Sequence, residues 1–367
     1  MPDVDVAILG GGCAGLSLAA RLAGTGVSFR VIEPRTAYAD DRAWSFWRTA
    51  EDPFRDCVRA SWSRWSVAGP GGTVMRASRA VPYQTVTSGA FYDKALALID
   101  ACPQGAATLG HRAEAAIPAG GAMQVETTAG ALTARHVIDA RHPARRPVFG
   151  QYFLGREIAC GSAVFDPHTV PLMHFRRGYS DGVDFLYILP FAPDRALVEV
   201  TSFAATAPSR ALFGRWLADE LDALGIGAHD VLREEAGALP MQAGFADPPA
   251  PGTVRIGLGG GAARPSTGYA FQRIQAQADA LSRQLAAGAP LRTPLDPPMT
   301  RFMDRVFLQV LRGAPERGPA LLESLFRNAA SERLERFLSG STRAADRLSV
   351  MASLPPAPFL RAAAWPA

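Results

Sequence analysis

The chain begins with an unbroken apolar run, Asp5-Val6-Ala7-Ile8-Leu9, which reads as a buried parallel strand. Apolar positions then recur at helical spacing through Leu16, Ala19, Ala20, Leu22 and Ala23, up to the breaker Gly24-Thr25-Gly26. A second strand pattern covers Val27 to Glu33, and His136 to Arg141 supplies a compatible third after a long excursion. Strand, turn, helix, strand is the first half of a doubly wound α/β sheet. From about Gln151 to Met241 the pattern shortens to alternating runs between Pro-rich turns, among them Phe185 to Leu189 and Arg195 to Val200, which predicts an antiparallel sheet. The α/β texture returns at Thr253 to Gly259 and enters a helix over 271–285; beyond the Pro-rich link at 294–298 the pattern is mainly helical. The expected organisation is an α/β part at 1–150, an antiparallel substrate-binding region at 151–250, an α/β return segment at 251–292 and a helical region at 293–367.

Composition narrows the class. With 48% hydrophobic side chains in 367 residues, the chain can bury a large core. Its formal charge of +4 is carried almost wholly by arginine, Lys94 being the only lysine, and acidic residues are spread among the basic ones. No basic cluster alternates with aromatic residues, which argues against nucleic acid as a partner. The six histidines lack ligand spacing, so no metal site is expected. Cys13, Cys57, Cys102 and Cys160 form no C-x-x-C pair and read as reduced thiols of a cytoplasmic protein. No stretch approaches the ~20 apolar residues of a membrane helix, so contact with lipid is expected to be peripheral.

The first chemistry lies between the opening strand and helix. Gly10-Gly11-Gly12-Cys13-Ala14-Gly15 satisfies G-x-G-x-x-G: Gly10 for the tight turn, Gly12 for the approach of a pyrophosphate, Gly15 for packing of helix on strand. The helix start at Cys13 and Ala14 offers N–H groups and positive dipole to an anion. Glu33, ending the second strand, stands where a carboxylate accepts hydrogen bonds from ribose hydroxyls. The alternative is a glycine turn without a ligand, in a chain with 35 glycines. FAD is favoured over NAD because a second glycine-rich segment, 257 to 268, returns late and supplies the further contact a flavin ring needs. Asp139, Gly260 and Gly268 are counted with this cofactor site.

Several segments resemble the bacterial lycopene cyclase family over nearly the whole chain. Asp41-Arg42-Ala43-Trp44-Ser45-Phe46-Trp47 is similar to that family's Asp-Arg-Thr-Trp-x-Phe-Trp element. Phe165-Asp166-Pro167, Leu172-Met173-His174-Phe175, Tyr187-Ile188-Leu189-Pro190-Phe191 and Ala196 to Thr201 follow in the family's order. Arg264 to Phe271 resembles its second flavin-contacting segment, and the tail from Arg301 through Ser353-Leu354-Pro355 matches in type and order. Two departures stand out: His174 replaces an aspartate found in many relatives, and Val200 replaces the second carboxylate of an acidic pair.

The resemblance implies ring closure of a linear carotenoid such as lycopene, with no net redox change. It implies FAD in its reduced form, primed by NAD(P)H, and contacts from Arg42, Trp44 and Tyr269. It also implies that Glu199 is the acid–base residue, whereas from the strand alone a solvent-facing glutamate on an amphipathic strand is the favoured reading. Alternation places Glu199 on the face shared with Leu197 and Thr201. His174, Tyr187, Phe191 and Phe271 are candidates for the substrate pocket, core packing being the alternative for each and a surface position a further one for His174. Phe302, Val306, Phe307, Val310 and Leu311 form a helical stripe that either packs on the body or rests on a membrane surface, expected to be the inner membrane. Rival functions are an FAD-dependent monooxygenase, a prenyl-chain reductase and a carotenoid or flavin carrier. Monooxygenases share a Gly-Asp-Ala-Ala-His-x-x-x-Pro segment, whereas Gly260-Gly261-Ala262-Ala263-Arg264-Pro265 has glycine in place of the aspartate.

Overall fold

The computed structural model of the protein describes residues 1–176, 178–242, 244–246 and 249–364, so the last three residues of the expected helical region lie outside the described residues. The opening apolar run forms β1 (Val4–Leu9), flanked in parallel by β2 (Phe29–Glu33) and β11 (Gly130–Asp139). β8 (Gly105–Leu109) lies outside β2, while β10 (Ala122–Thr127) and β9 (Ala113–Ala119) continue the sheet antiparallel beyond β11. Burial on both faces explains the unbroken apolar run. Val6 and Ile8 pack under α1 (Cys13–Leu22), α2 (Ser88–Asp100) and α4 (Phe271–Ala286); Ala7 and Leu9 pack against Met123 and Val125 of β10.

The return strand is shorter than its apolar pattern suggests. β17 (Thr253–Arg255) pairs with β11 and then stops, because Gly257 takes φ 67° and a tight turn follows at Leu258–Gly260. A Cβ on Gly257 would stand 2.8 Å from that of Ala14, so the return segment is pressed against the start of α1.

The second sheet runs β16 (His229–Pro240), β12 (Gly150–Cys160), β15 (Arg195–Ala204), β14 (Val183–Ala192), β13 (Thr169–Arg176), β5 (Arg64–Gly69), β6 (Gly72–Ala77). Its β12–β16 part is antiparallel as expected, but β5 and β6 come from the N-terminal excursion and join through a parallel pairing of β5 with β13. Its back is covered by α3 (Arg210–Ala223), through Phe213, Trp216 and Leu217. A small antiparallel sheet of β3 (Ala43–Trp47), β7 (Tyr83–Thr87) and β4 (Val58–Trp62) bridges the two large ones.

Over the front of the second sheet lie α5 (Pro298–Gly313), α6 (Gly318–Asn328), α7 (Ser331–Leu338), α8 (Ala344–Ala352) and α9 (Pro356–Ala364). No helix among the described residues is long and apolar enough to cross a membrane. The helical layer is tied to the return segment by Arg264 and Asp304, 3.2 Å apart and both almost fully buried. Ser266 Oγ donates to the same carboxylate at 2.7 Å, and Arg264 donates to the Phe337 carbonyl. Removing one partner of such a pair strands a buried charge, at about 3–5 kcal/mol. Asp304→Ala is therefore expected to lower the thermal midpoint by several degrees, measured by calorimetry; an unchanged midpoint would show that the helices dock without this tie.

Candidate functional site

A single cavity of about 1160 Å³ extends from the glycine-rich turn to the C-terminal helices. At one end lie Gly10, Gly12, Cys13, Ala14 and Glu33; Arg42 and Trp44 line it too; Glu199, Tyr187, Gly268, Tyr269 and Phe271 line its middle, and Phe302, Met351 and Leu360 its far end.

The turn is built as its glycines require. Gly10 sits at φ 98°, a conformation that a side chain disfavours. A Cβ on Gly15 would run into the Gly10 carbonyl and lie 3.2 Å from the Ile8 side chain, so this glycine seats the helix on the strand and stays out of the cavity. A Cβ on Gly12 would meet nothing within 4 Å, leaving room directly before α1. That helix has no side-chain cap, so its first N–H groups face the space with their partial positive charge. Glu33 accepts from the Gly11 N–H at 2.6 Å and from Arg35 Nε at 2.6 Å. Burial works to raise its pKa, but the hydrogen bonds from Arg35 and Gly11 hold the carboxyl below its ordinary range. This end can take an anion next to the helix and hydroxyl groups next to Glu33.

Two residues counted with this end lie behind it. Asp139 does not reach the cavity, because Arg141 and Arg255 each bind its carboxylate at 2.9 Å. Gly260 is inside the tight turn, donating to the carbonyls of Ile256 and Gly257; Gly257 and Leu258 line the cavity in its place.

The middle is one row across the second sheet. Glu199 on β15 is opposite Tyr187 of β14 on one side and Gly155 of β12 on the other. Residues directly opposite in an antiparallel sheet share a face, and here that face is the cavity wall. Glu199 is 6% exposed, shares its face with Leu197 and Thr201, and accepts a 2.7 Å hydrogen bond from Thr201 Oγ1. Its pKa is pushed up to about 8, by burial first and then by the neighbouring Glu235. A carboxylic acid that keeps its proton near neutral pH in an apolar cavity is equipped for proton transfer. Tyr83 and Tyr187 hydroxyls are 3.0 Å apart, and these two and Tyr269 are kept neutral by burial, their pKa values pushed well above the ordinary one. Trp44 and Phe46 both stack on Phe271, with centroids 5.6 and 4.8 Å away.

His174 and Phe191 do not line the cavity. His174 pairs in register with Leu186, whereas Phe175 pairs with Phe185, which does face the cavity; a register shift between Pro171 and Met173 sets this phase. Its Nε2 is 2.9 Å from Ser66 Oγ, and burial, aided by Arg176, lowers its pKa to about 4, leaving a neutral imidazole. Phe191 lies within an irregularity at the end of β14, under the Arg59 guanidinium at 3.8 Å.

The sequence reading missed Glu235 and Tyr83. Glu235 stands in Arg233-Glu234-Glu235, which looks like a solvated charge run, and only its register opposite Gly155 brings it to the cavity. Tyr83 comes from the unassigned excursion; its alternating strand, Tyr83 to Thr87, was the available signal. Among the described residues, no group of three His, Cys, Asp or Glu side chains is placed to hold a metal ion.

A family model described as "Lycopene cyclase protein" matches residues 5–364. A curated relative, the lycopene beta-cyclase of a Paracoccus species, is 30% identical over 97% of this chain and 95% of its own length. Among solved structures, a geranylgeranyl bacteriochlorophyll reductase-like protein from Thermoplasma acidophilum superposes with TM-score 0.65, covering 98% of both chains at 13% identity. Aklavinone-11 hydroxylase, solved with FAD and aklavinone, gives TM-score 0.57 over 94% of this chain and 72% of its own at 14% identity. These structural likenesses establish the flavoprotein fold.

The raised carboxyl has a consequence for stability. Glu199 goes from an ordinary 4.5 to about 8 on folding, so between these values the native state binds the extra proton and stability falls as pH rises. Glu335, pushed up to about 7 mainly by burial, adds a slope of the same sign. Comparing the wild type with Glu199→Gln cancels that background. The variant should gain stability relative to wild type as pH rises from about 5 to about 9, read as urea midpoints; a pH-independent difference would mean that Glu199 titrates normally.

Proposed function

The chain belongs to the lycopene cyclase family, and we propose that it closes the ψ-end groups of lycopene to β-rings, giving γ-carotene and β-carotene without net redox change. The observation that carries the reading is Glu199, a buried carboxyl group with its pKa pushed up to about 8, facing a mostly apolar cavity large enough for a polyene end and a cofactor. Its proton adds to the terminal alkene, forming a C–H bond and leaving a carbocation. The neighbouring double bond attacks that cation and closes the ring. A ring C–H bond then breaks, its electrons become the ring double bond, and the proton returns to the Glu199 carboxylate. Thr201 orients the carboxyl group, and the π faces of Tyr187 and Trp44 favour positive charge near them.

The nucleotide end fits FAD. The uncapped helix start with open space at Gly12 would take the pyrophosphate, Glu33 the ribose, and the stretch past Arg42, Trp44, Gly268 and Tyr269 the ring system. Bound there in reduced form, FAD would supply negative charge to stabilise the cation, with NAD(P)H as the source of its electrons.

A lipid-dissolved substrate calls for an opening toward lipid. Met299, Phe302, Met351 and Leu360 are exposed on α5, α8 and α9 and also line the cavity, so they rim its mouth. Exposed Arg301, Arg305, Arg343 and Arg361 lie on or next to the same helices, suited to lipid phosphates at the inner membrane surface.

The test is anaerobic incubation with lycopene in liposomes, FAD and NADPH. Wild type should give a cyclic product of unchanged mass, and Glu199→Gln should be slower by about 100-fold or more. A gain of hydrogen would identify a reductase, and an oxygen-dependent gain of oxygen a monooxygenase. Gly12→Ala places a Cβ in the space before α1, where it meets nothing within 4 Å; the variant should still melt cooperatively yet lose FAD on gel filtration, read by flavin absorbance. Retention of FAD by the variant would place the cofactor elsewhere.

A further inference from the structure

The row that carries Glu199 holds a second carboxyl group. Glu199 of β15 and Glu235 of β16 both pair with Gly155 of the intervening strand β12. All three positions share one face, and the central one has no side chain. A Cβ on Gly155 would stand 3.2 Å from both Glu199 Cβ and Leu197 Cδ1, so the glycine keeps the space between the two glutamates free. Each glutamate is 6% exposed and each lines the cavity.

Their partners differ in charge. Glu199 is hydrogen-bonded by the neutral Thr201 hydroxyl. Glu235 forms an ion pair with Arg233, itself nearly buried, whose guanidinium also lies 3.5 Å from Glu157 and 4.0 Å from Asp40. Glu157 is bound in addition by Arg59 and Arg195. The charged groups thus converge on the Glu235 side of the row. The other titratable groups that act on Glu199 are Tyr187 from β14 and Tyr83 from β7, both neutral, and Arg233 from β16, whose pull on it is weaker than the push of Glu235; Tyr269 adjoins Tyr83, and Arg42 acts on Glu235.

We propose that Glu235, fixed as a carboxylate by Arg233, is the positioning residue that keeps the reactive proton on Glu199. Two carboxyl groups facing each other across a glycine in an apolar cavity do not both ionise, so the pair retains one proton. Arg233 stabilises negative charge on Glu235, which leaves that proton on the member without a cation. Burial raises the pKa of both groups, and Glu235 is a further cause of the rise at Glu199, in agreement with this arrangement. The proposal rests on Glu199 as the acid of the cyclisation, but the state of the pair can be observed without turnover.

Glu235→Gln removes the negative charge while retaining an amide oxygen for Arg233. Glu199 should then lose its proton more readily, and the alkaline limb of kcat/KM should move down by about one pH unit or more. The same shift should appear in difference infrared spectra of the flavin-loaded protein, in the carboxylic-acid band that disappears in Glu199→Gln. Glu235→Asp keeps the charge and should restore the limb toward its wild-type position. Glu235→Asn serves the same test if the Gln variant does not fold. A lower rate at every pH with limb and band unmoved would overturn the proposal, reducing Glu235 to a packing role. A shifted band in a protein that forms no cyclic product would uphold the pair and sink the cyclase reading instead.

Discussion

A carboxyl group that must stay uncharged among apolar side chains is the constraint around which this molecule is arranged. Taking an isolated carboxylate out of water is prohibitive, so the group either finds a cation or keeps its proton. Glu199 has a hydroxyl for a partner and a carboxyl group as its neighbour, and its proton is retained. The arginines that would ionise it are held on Glu157 of the neighbouring strand and on Glu235 one strand further. Gly155 is what makes the geometry possible, since any larger residue would fill the gap between the glutamates. Acidity here belongs to a sheet register as much as to a residue.

That register is useful only if the cavity in front of the sheet stays closed to water. The roof is the C-terminal helical layer, whose Leu322, Leu325, Phe326 and Phe337 reach the same core as Phe185 and Leu197 beneath. Arg264 and Asp304 fix this roof to the return segment, and the return segment is pressed on α1 through Gly257. The nucleotide end and the acid end are therefore joined by one stretch, 257 to 271, whose two ends line the cavity.

Much of this was legible in the sequence because local periodicity fixes local structure. The unbroken run of β1, the glycine turn and the helical spacing of α1 specify a parallel strand feeding a helix, and the helix expected over 271–285 is found as Phe271–Ala286. Alternation also grouped Glu199 with Leu197 and Thr201, though not with a buried face. What escaped is non-local. The joining of β5 and β6 to the second sheet depends on a pairing about a hundred residues apart in sequence, which no periodicity records. His174 was placed toward the pocket because a single register shift near Pro171 cannot be read from alternation. Asp139 and Glu235 show the complementary difficulty: both are charged residues at strand positions, and one is consumed by two arginines while the other is delivered to the cavity.

The fold itself does not select the reaction, since reductase-like and hydroxylase chains superpose on it over nearly their full length or most of it. Selection comes from what surrounds the charge that forms. A carbocation in an open site is captured by water; in a cavity walled by Phe153, Leu189, Leu197, Phe203 and the tyrosine row, the base left to the proposed cyclisation is the Glu199 carboxylate that has given up its proton, Glu235 being held by Arg233. Proton loss is then the outcome that the walls leave open, and the same burial that kept Glu199 protonated makes its carboxylate eager to recover the proton. Dryness would thus serve both halves of the proposed isomerisation, supplying the acid at the start and the base at the end from one side chain.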